Sequence, residues 1–303
     1  MDIYLPIAGV SQSVAVLLVL GGAVGFLSGL FGVGGGWLMT PLLIFIGIPP
    51  SFAVAASANQ IVGSSVSGTL AQWRRGNIDF SMGFVLLAGG LIGSGVGVWL
   101  FAMLRRIGQI EITISLAYIL MLGILGAFML LESVRAILFP RPVALRKLHQ
   151  HNWTHGLPFK MRFRRSKLYI SAIVPVAVGF AGGFLSGVLG VGGGFVIVPA
   201  MIYVLDMPVS LVPGTSLFQI IFVAAAVTIQ QAVENGTVDI VLALILVLGG
   251  VIGVNFGLRV GSRLKGEYFR ALLGMLVLAA AAKLAADLTI TPRDLYSLEL
   301  HAP

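Results

Sequence analysis

Residues 25–36 of the chain read GFLSGLFGVGGG, and residues 183–194 read GFLSGVLGVGGG. Only two of the twelve positions differ. The correspondence continues in the same order along both halves, and matched pairs are Pro41 with Pro199, Ser57 with Ser216, Gln60 with Gln219, Asp79 with Asp239, and Gly93 with Gly253. Such self-similarity predicts an internal duplication, in which each half folds into the same unit.

The composition predicts that the solvent of this chain is lipid. Of the 303 residues, 58% are hydrophobic and only 10% are charged, and the mean hydropathy is +1.03. A soluble domain carries about 25% charged residues, so there is too little polar surface here to coat a water-soluble globule. The absence of cysteine excludes disulfides, iron–sulfur clusters and a cysteine nucleophile. The net charge of +8 is gathered in a few loops, which favours membrane orientation over nucleic-acid binding.

Ten apolar segments are predicted as membrane helices, five in each half. A helix needs about 20 residues to cross the hydrocarbon core, and all but two of the segments approach that length. The second segment of each half is about half as long and contains a proline, Pro41 or Pro199, which predicts a half-length or broken helix. The segments are 14–31, 37–46, 53–72, 81–104, 111–131, 168–189, 195–205, 214–233, 239–260 and 268–286.

The domain organisation follows from the repeat and from one polar stretch between the halves. The predicted parts are a first transmembrane repeat at 11–131, a basic cytoplasmic linker at 132–167, a second transmembrane repeat at 168–287 and a C-terminal tail at 288–303. The linker carries nine of the 19 basic residues and one acid, so the positive-inside rule predicts that it is cytoplasmic. If all five segments of a repeat cross, the second repeat is inverted relative to the first. The predicted fold class is therefore an all-α polytopic membrane protein with two inverted five-segment repeats and glycine-broken short helices.

Each glycine run is predicted to form a loop before a short helix. Successive glycines hold a helix poorly, and irregular backbone at membrane depth is tolerated only against protein or a wet cavity. The first N–H groups of the following helix are free and carry partial positive charge, which favours an anion. The alternative is a tight turn that only packs helices closely. The candidate backbone ligands are Gly34, Gly35, Gly36, Gly192, Gly193 and Gly194.

Polar side chains in the third segment of each half are the second candidate group. Residues three apart lie on one helix face, so Ser57 and Gln60 are predicted to point the same way, as are their matches in the second half. Amide and hydroxyl groups in an apolar helix must find partners or line a wet cavity, and they suit a substrate with several oxygens. The alternative is hydrogen bonding between helices. The candidate side chains are Ser57, Asn59, Gln60, Thr215, Ser216 and Gln219.

Acidic residues are rare and fall at segment ends. Asp79 and Asp239 begin equivalent helices, where a carboxylate caps free N–H groups, and capping is the favoured interpretation over proton coupling. No acid is predicted at mid-depth, which argues for a neutral or anionic cargo. The histidines within 149–155 are interpreted as part of a solvated loop, so no metal site is predicted. Spaced glycines such as Gly93 and Gly97 are interpreted as helix-packing faces.

The paired glycine runs, each followed by a short proline-containing helix and then Ser-x2-Gln, resemble the sulfite exporter TauE/SafE family of membrane transporters. The stretch PGTSL at 213–217 is typical of that family. The first half departs from the pattern, because residues 55–58 read AASA where Gly-Thr-Ser-Leu is more usual. The resemblance implies movement of sulfur-containing anions or organic acids, such as sulfite, sulfonates or sulfoacetate, across the cytoplasmic membrane.

Together these features predict a secondary transporter of the inner membrane that acts on a small anion by alternating access. The expected partners are that anion and the lipid bilayer, and a homo-oligomer is left open. No nucleic acid, cofactor, metal or catalytic residue is expected. A passive anion channel shares every feature and is the nearest alternative. An intramembrane enzyme would need a nucleophile with a base, paired acids or a metal cluster, and the segments contain no histidine. A structural or assembly protein would not explain the doubled broken helices.

Overall fold

A computed structural model describes residues 2–31, 34–138, 158–261 and 266–289 of the chain. Within these ranges the chain forms ten α-helices, one π-helical turn and two short β-hairpins. The first half contains β1 Asp2–Leu5, β2 Val10–Ser13, α1 Val14–Phe31, α2 Gly36–Phe45, α3 Pro50–Arg74, α4 Phe80–Arg106 and α5 Ile110–Leu138. The second half contains β3 Lys160–Phe163, β4 Leu168–Ser171, α6 Ile173–Leu189, α7 Gly194–Tyr203, α8 Val212–Gln230, the π-helical turn Gln231–Asn235, α9 Ile240–Gly261 and α10 Gly266–Thr289.

Four helical stretches within the described ranges are long and apolar enough to cross a membrane, by length and composition. They are Phe80–Arg106, Ile110–Phe128, Val212–Asn235 and Ile240–Val260. Several of the remaining apolar helices are shorter. The predicted class, an all-α polytopic membrane protein, is confirmed, and the number of ten crossing segments stays a prediction.

The glycine-broken short helices are confirmed. Helices α2 and α7 each have ten residues, which is about 15 Å at about 1.5 Å per residue, or half of a bilayer core. Each follows an N-cap glycine in the left-handed region, Gly35 with φ 76° and Gly193 with φ 69°, where a residue with a Cβ is strained. The end of α2 returns to the strand just before α1, as Gln12 Nε2 of β2 donates to the carbonyl oxygen of Ile46 at 2.6 Å. Helices α1 and α2 therefore form a helical hairpin with the glycines at its tip.

Helices of one repeat pack against helices of the other through glycine backbones. Along α1 and α9, Gly25 lies opposite Gly250, and Gly29 lies opposite Val254, so the two helices run in the same direction. The equivalent pair, α4 with α6, repeats this arrangement around Gly93. The spaced glycines let helix backbones approach more closely than any side chain would allow.

Helices α3 and α8 are equivalent, face each other and run antiparallel. Ala58 shares a buried cluster with Val227, whereas a Cβ built on Gly68 would lie 2.8 Å from a methyl group of Leu217. Higher residue numbers on α3 thus meet lower numbers on α8. Equivalent helices that run in opposite directions are what inverted repeats require, so this pair supports the inverted arrangement.

The sequence does not predict the two β-hairpins, each of which precedes the first helix of its repeat. Strand β3 lies in the last part of the predicted linker, and β4 pairs with it antiparallel. The turn of each hairpin binds the opposite repeat: Ile7 N donates to Asp239 Oδ2 at 3.0 Å. In the same way, Ser166 donates to Asp79 Oδ2 from its N at 3.0 Å and from its Oγ at 2.7 Å. The hairpins therefore join the two repeats.

Asp79 and Asp239 cap α4 and α9, as predicted. Asp79 Oδ1 accepts from Met82 N at 3.2 Å, and Asp239 Oδ1 accepts from Leu242 N at 3.2 Å. Both side chains are buried. One oxygen of each carboxylate satisfies a helix N-terminus, and the other holds a hairpin turn, so each group serves the helix and the junction between repeats.

The chain divides into two compact units. The first comprises residues 1–114 and 141–266, which include both hairpins, α1 to α4 and α6 to α9. The second comprises residues 115–140 and 267–303, with most of α5 and of α10. Within the second unit these two helices approach at Gly126, where a Cβ would lie 2.7 Å from Cγ of Leu278. Every candidate site residue belongs to the first unit.

Candidate functional site

The tips of the two helical hairpins, α1–α2 and α6–α7, meet inside the first unit. A Cβ built on Gly36 would lie 3.0 Å from the carbonyl oxygen of Gly190, so the loop before α2 touches the loop after α6. Gly190 has φ 68°, and a Cβ there would lie 2.3 Å from the carbonyl oxygen of Val54. Only glycine fits at this position. Gly32 and Val33 of the first run lie outside the described residues.

Helices α2 and α7 begin at this meeting point without side-chain caps. No side chain of the described residues bonds to the N-terminus of either helix, and the first residues, Gly36 and Gly194, are buried. Leu38 N reaches back to the carbonyl oxygen of Gly35 at 3.2 Å, which leaves the N–H groups before it without an intrahelical acceptor. Two buried helix N-termini with free donors and partial positive charge can hold an anion.

Gln60 and Gln219 are the candidate side chains that the structure leaves without protein partners. Both are 0% exposed, and neither Oε1 nor Nε2 of either residue has a hydrogen-bond partner within the described ranges. Each amide points at a glycine of a neighbouring helix. A Cβ built on Gly250 would lie 2.6 Å from Gln60 Nε2, and one built on Gly90 would lie 2.5 Å from Gln219 Nε2. The glycines of α9 and α4 thus make room for the two amides.

Most of the other unpartnered polar atoms also follow the internal repeat, and the sequence analysis did not single them out. Ser28 and Ser186 occupy matching positions of the glycine runs, and Thr69 matches Thr228; none of the four buried hydroxyls has a partner in the described part of the chain. The sequence contains a pattern that could have identified these four residues, because the two halves carry the same residue at each matching position. Buried polar groups are normally satisfied, so a twofold set of exceptions indicates a common role. Ser65 Oγ and Gln230 Oε1 also lack a partner in the described ranges, but the matching residues of the other repeat are apolar.

The first-repeat hydroxyl and the asparagine are bonded within the protein. Ser57 Oγ donates to the carbonyl oxygen of Ala53 at 2.7 Å and accepts from Thr40 Oγ1 at 2.7 Å. Asn59 Nδ2 donates to the carbonyl oxygen of Ala55 at 3.0 Å. Ser57 thus links α2 to α3, which is the structural role left open from the sequence.

The second-repeat hydroxyls are bonded as well. Thr215 Oγ1 accepts from the backbone N of Asp79 at 3.0 Å and so ties α8 to the start of α4. Ser216 Oγ donates to the carbonyl oxygen of Pro213 at 3.1 Å. Among the predicted site residues, the groups that remain free to bind a ligand are therefore the amides of Gln60 and Gln219 and the backbone N–H groups of the glycine loops.

Electrostatically, the site rests on dipoles rather than ions. In the described part of the first unit, each charged residue lies at a helix end, in a β-hairpin, in the π-helical turn or in a connecting segment. The field at the glycine loops is thus set by helix N-termini and amide dipoles, which favour a negative ligand. The histidines at 149–155, which the sequence assigned to a solvated loop, lie outside the described residues.

Comparison with known proteins assigns the chain to a family. A family model described as sulfite exporter TauE/SafE matches residues 17–284, which span both repeats. The chain belongs to the sulfite exporter TauE/SafE family. The resemblance drawn from the paired glycine runs is thereby confirmed.

Relatives of this TauE/SafE protein occur in bacteria and archaea. The probable membrane transporter protein YjnA of Bacillus subtilis is 28% identical over 276 residues, which cover 90% of this chain and 100% of that protein. A probable membrane transporter protein of Xylella fastidiosa is 27% identical over 89% of this chain and 94% of its own length. One from Methanocaldococcus jannaschii is 25% identical over 86% of this chain and 91% of its own length. No solved structure matches the chain. Family and relatives support membrane transport by a multi-pass membrane protein.

Proposed function

We propose that this TauE/SafE protein is a secondary transporter that moves a small sulfur-containing anion across the cytoplasmic membrane by alternating access. The cargo is of the sulfite, sulfonate or sulfoacetate type. The observation that carries the proposal is the pair of fully buried glutamine amides without hydrogen-bond partners among the described residues. A buried polar group left unsatisfied costs about 1–3 kcal/mol, so a ligand that accepts from these amides explains why both are kept.

The donor set favours an oxyanion. Helix N-termini and glutamine amides supply N–H donors, and a sulfite or sulfonate group presents three oxygens that accept. A cation would need carboxylates or a cage of carbonyl oxygens, and the acids of the described first unit lie in β1, at helix ends, in the π-helical turn or in a connecting segment, none of them among the candidate site residues. No bond of the cargo needs to change for such binding, so the proposal involves transport without chemistry.

Alternating access is supported by the way the repeats are joined. The helical hairpins α1–α2 and α6–α7 belong to opposite repeats and meet at their glycine tips. The candidate glutamines are 0% exposed, which corresponds to an occluded state. Inverted repeats that rock about a central site open it to one face and then to the other. A passive channel would instead need a continuous open path.

The charge distribution supports an orientation. Arg165 donates to the carbonyl oxygen of Gly76 at 2.5 Å, so the exposed basic hairpin β3–β4 lies beside Arg74 and Arg75 at the end of α3. This concentration of positive charge marks the cytoplasmic face. The hairpin β1–β2, which contacts Asp239, then lies on the opposite face.

The first experiment is ligand-dependent thermal stability of the purified protein in detergent. The panel contains sulfite, thiosulfate, sulfate, taurine, sulfoacetate and plain carboxylates. A ligand at about 100 times its Kd adds about 2.7 kcal/mol to the stability of the folded state. We expect stabilisation by sulfur oxyanions or sulfonates. A folded protein that none of these anions stabilises would contradict the proposed site.

The glutamine requirement is tested with matched double variants. Gln60→Ala with Gln219→Ala should fold and lose anion stabilisation. The control is Gln72→Ala with Gln231→Ala, an equivalent buried pair in α3 and in the π-helical turn that follows α8, whose amides are bonded within the protein. The control should be less stable but should keep the anion response. Equal affinity in both variants would remove Gln60 and Gln219 from the site.

A further inference from the structure

Ile61 and Ile220 are equivalent residues that follow the two site glutamines on α3 and α8. Both are 0% exposed, and they share one buried cluster with Ala224. They also lie against both glycine loops. A Cβ built on Gly34 would lie 3.5 Å from Ile61 and 3.6 Å from Ile220, and one built on Gly192 would lie 3.0 Å from Ile61 and 3.4 Å from Ile220. The isoleucine pair therefore fills the space where the loops meet.

The antiparallel register of α3 and α8 places this pair between the glutamines. Gly68 lies level with Leu217, and the numbering of α8 falls as that of α3 rises. Gln219 is therefore level with about residue 66 of α3, which is about six residues, or about 9 Å, along the axis from Gln60. By the same count, Ile220 is level with about residue 65. Both isoleucines thus lie between the levels of the two amides.

An oxyanion that moves from one amide to the other has to pass this apolar pair. The isoleucine side chains offer no donors, and apolar constrictions stop ions by excluding water. We infer that Ile61 and Ile220 form the gate of the pathway, an apolar barrier that separates two polar half-sites, one around Gln60 and one around Gln219. The inference rests on the proposed anion transport and adds the residues that keep the two faces of the membrane apart.

The half-sites are equivalent through the internal repeat. Gln60 lies beside Gly250 of α9, and Gln219 lies beside Gly90 of α4. Each amide presents N–H donors to one oxygen of the anion, and each half-site is nearer to one face of the membrane. The gate parts when the hairpin tips separate, because its side chains are held by both glycine loops.

The test is Ile61→Ala with Ile220→Ala in full-length protein reconstituted into liposomes. Truncation should open a continuous path, so uptake of radiolabelled sulfite into empty liposomes should rise about tenfold or more, which a barrier lowered by about 1.4 kcal/mol gives. The control is Leu86→Ala with Leu246→Ala, an equivalent pair on α4 and α9 that is also 0% exposed. The control should show no added leak per folded protein.

If the variant Ile61→Ala with Ile220→Ala folds but leaks no more sulfite than the leucine control, the gate is overturned. A wild-type protein that exchanges no anion of the panel would instead contradict the transport function, and the gate would fall with it. The two failures are therefore separate observations.

A second variant keeps the test valid if the alanine pair does not fold. The chain contains no cysteine, so Ile61→Cys with Ile220→Cys introduces the only thiols. Bridging them with a short, reducible bifunctional thiol reagent should stop exchange of sulfoacetate, which unlike sulfite does not cleave disulfides, while anion-dependent thermal stabilisation remains, and a reductant should restore exchange. Exchange that continues after complete bridging would overturn the gate.

Discussion

Replacing Gly93 by alanine should force apart two helices that now touch backbone to backbone. A Cβ built on Gly93 would lie 2.1 Å from the carbonyl oxygen of Phe180 and 2.9 Å from the backbone N of Phe184. An ordinary contact begins at 3.4 Å, so α4 and α6 would have to separate by about 1.3 Å. The obstacle is backbone, which cannot rotate out of the way as a side chain can.

The size of the effect follows from that geometry. Overpacking of a core costs about 1–3 kcal/mol. Because the obstacle is backbone, the loss of stability expected for Gly93→Ala is about 3 kcal/mol, at the upper end of that range. At roughly 2–4 °C per kcal/mol, the apparent Tm should fall by roughly 6–12 °C. Gly95→Ala on the same helix is the matched control, because a Cβ there would meet nothing within 4 Å. Alanine is the better helix former by about 1 kcal/mol, so the control should be neutral or more stable.

The assay is thermal unfolding of the purified variants in detergent, followed by intrinsic fluorescence. Gly253→Ala, the equivalent substitution in the second repeat, should behave like Gly93→Ala, because its Cβ would lie 2.0 Å from the carbonyl oxygen of Gly22. Equal Tm values for Gly93→Ala and Gly95→Ala would refute the reasoning that close approach between repeats fixes these glycines.

The site and the junctions between repeats give three further predictions. Gln60→Met with Gln219→Met should raise the apparent Tm, because it removes two buried amides that have no partners among the described residues, at about 1–3 kcal/mol each, and it should abolish anion-dependent stabilisation; a surviving anion response would exclude the amides from the anion site. Asp79→Ala should lower the free energy of unfolding by about 1–3 kcal/mol. A double-mutant cycle with Ser166→Ala should give a coupling energy of about 0.5–3 kcal/mol, whereas additive effects would contradict the contact between Asp79 and Ser166. Gly190→Ala should lower the Tm and stop exchange, because its Cβ would meet the backbone oxygen of Val54 in α3 at 2.3 Å; normal exchange would show that this loop need not pack against α3 as described.

The repeat and the short helices were readable from the sequence because they depend on local residues. Duplicated glycine runs predict broken backbone wherever they occur, and in the structure a short helix follows each run, with Pro41 or Pro199 inside it. The capping role of Asp79 and Asp239 was predicted for the same reason, since a cap binds N–H groups of its own first turn.

The sequence could not predict the β-hairpins, nor which polar residues of the site are bonded within the protein and which stay free, because both depend on contacts between residues distant in sequence. The turn of β1–β2 is held by Asp239, more than 200 residues away along the chain. Thr215 and Gln219 look equally suited to bind a substrate in the sequence. In the structure Thr215 accepts a hydrogen bond from the backbone of Asp79, whereas Gln219 has no partner among the described residues. Which polar group stays free is decided by the neighbouring helix.

The measurement that tests the central claim most directly is counterflow in proteoliposomes. Vesicles that contain the full chain are loaded with unlabelled sulfite or sulfoacetate and are then diluted into a trace of the same anion in labelled form. A transporter that exposes its site alternately should accumulate the label transiently above its equilibrium level, and Gln60→Ala with Gln219→Ala should abolish that overshoot. Label that only equilibrates, at a rate independent of the anion inside, would contradict alternating access and favour a passive channel.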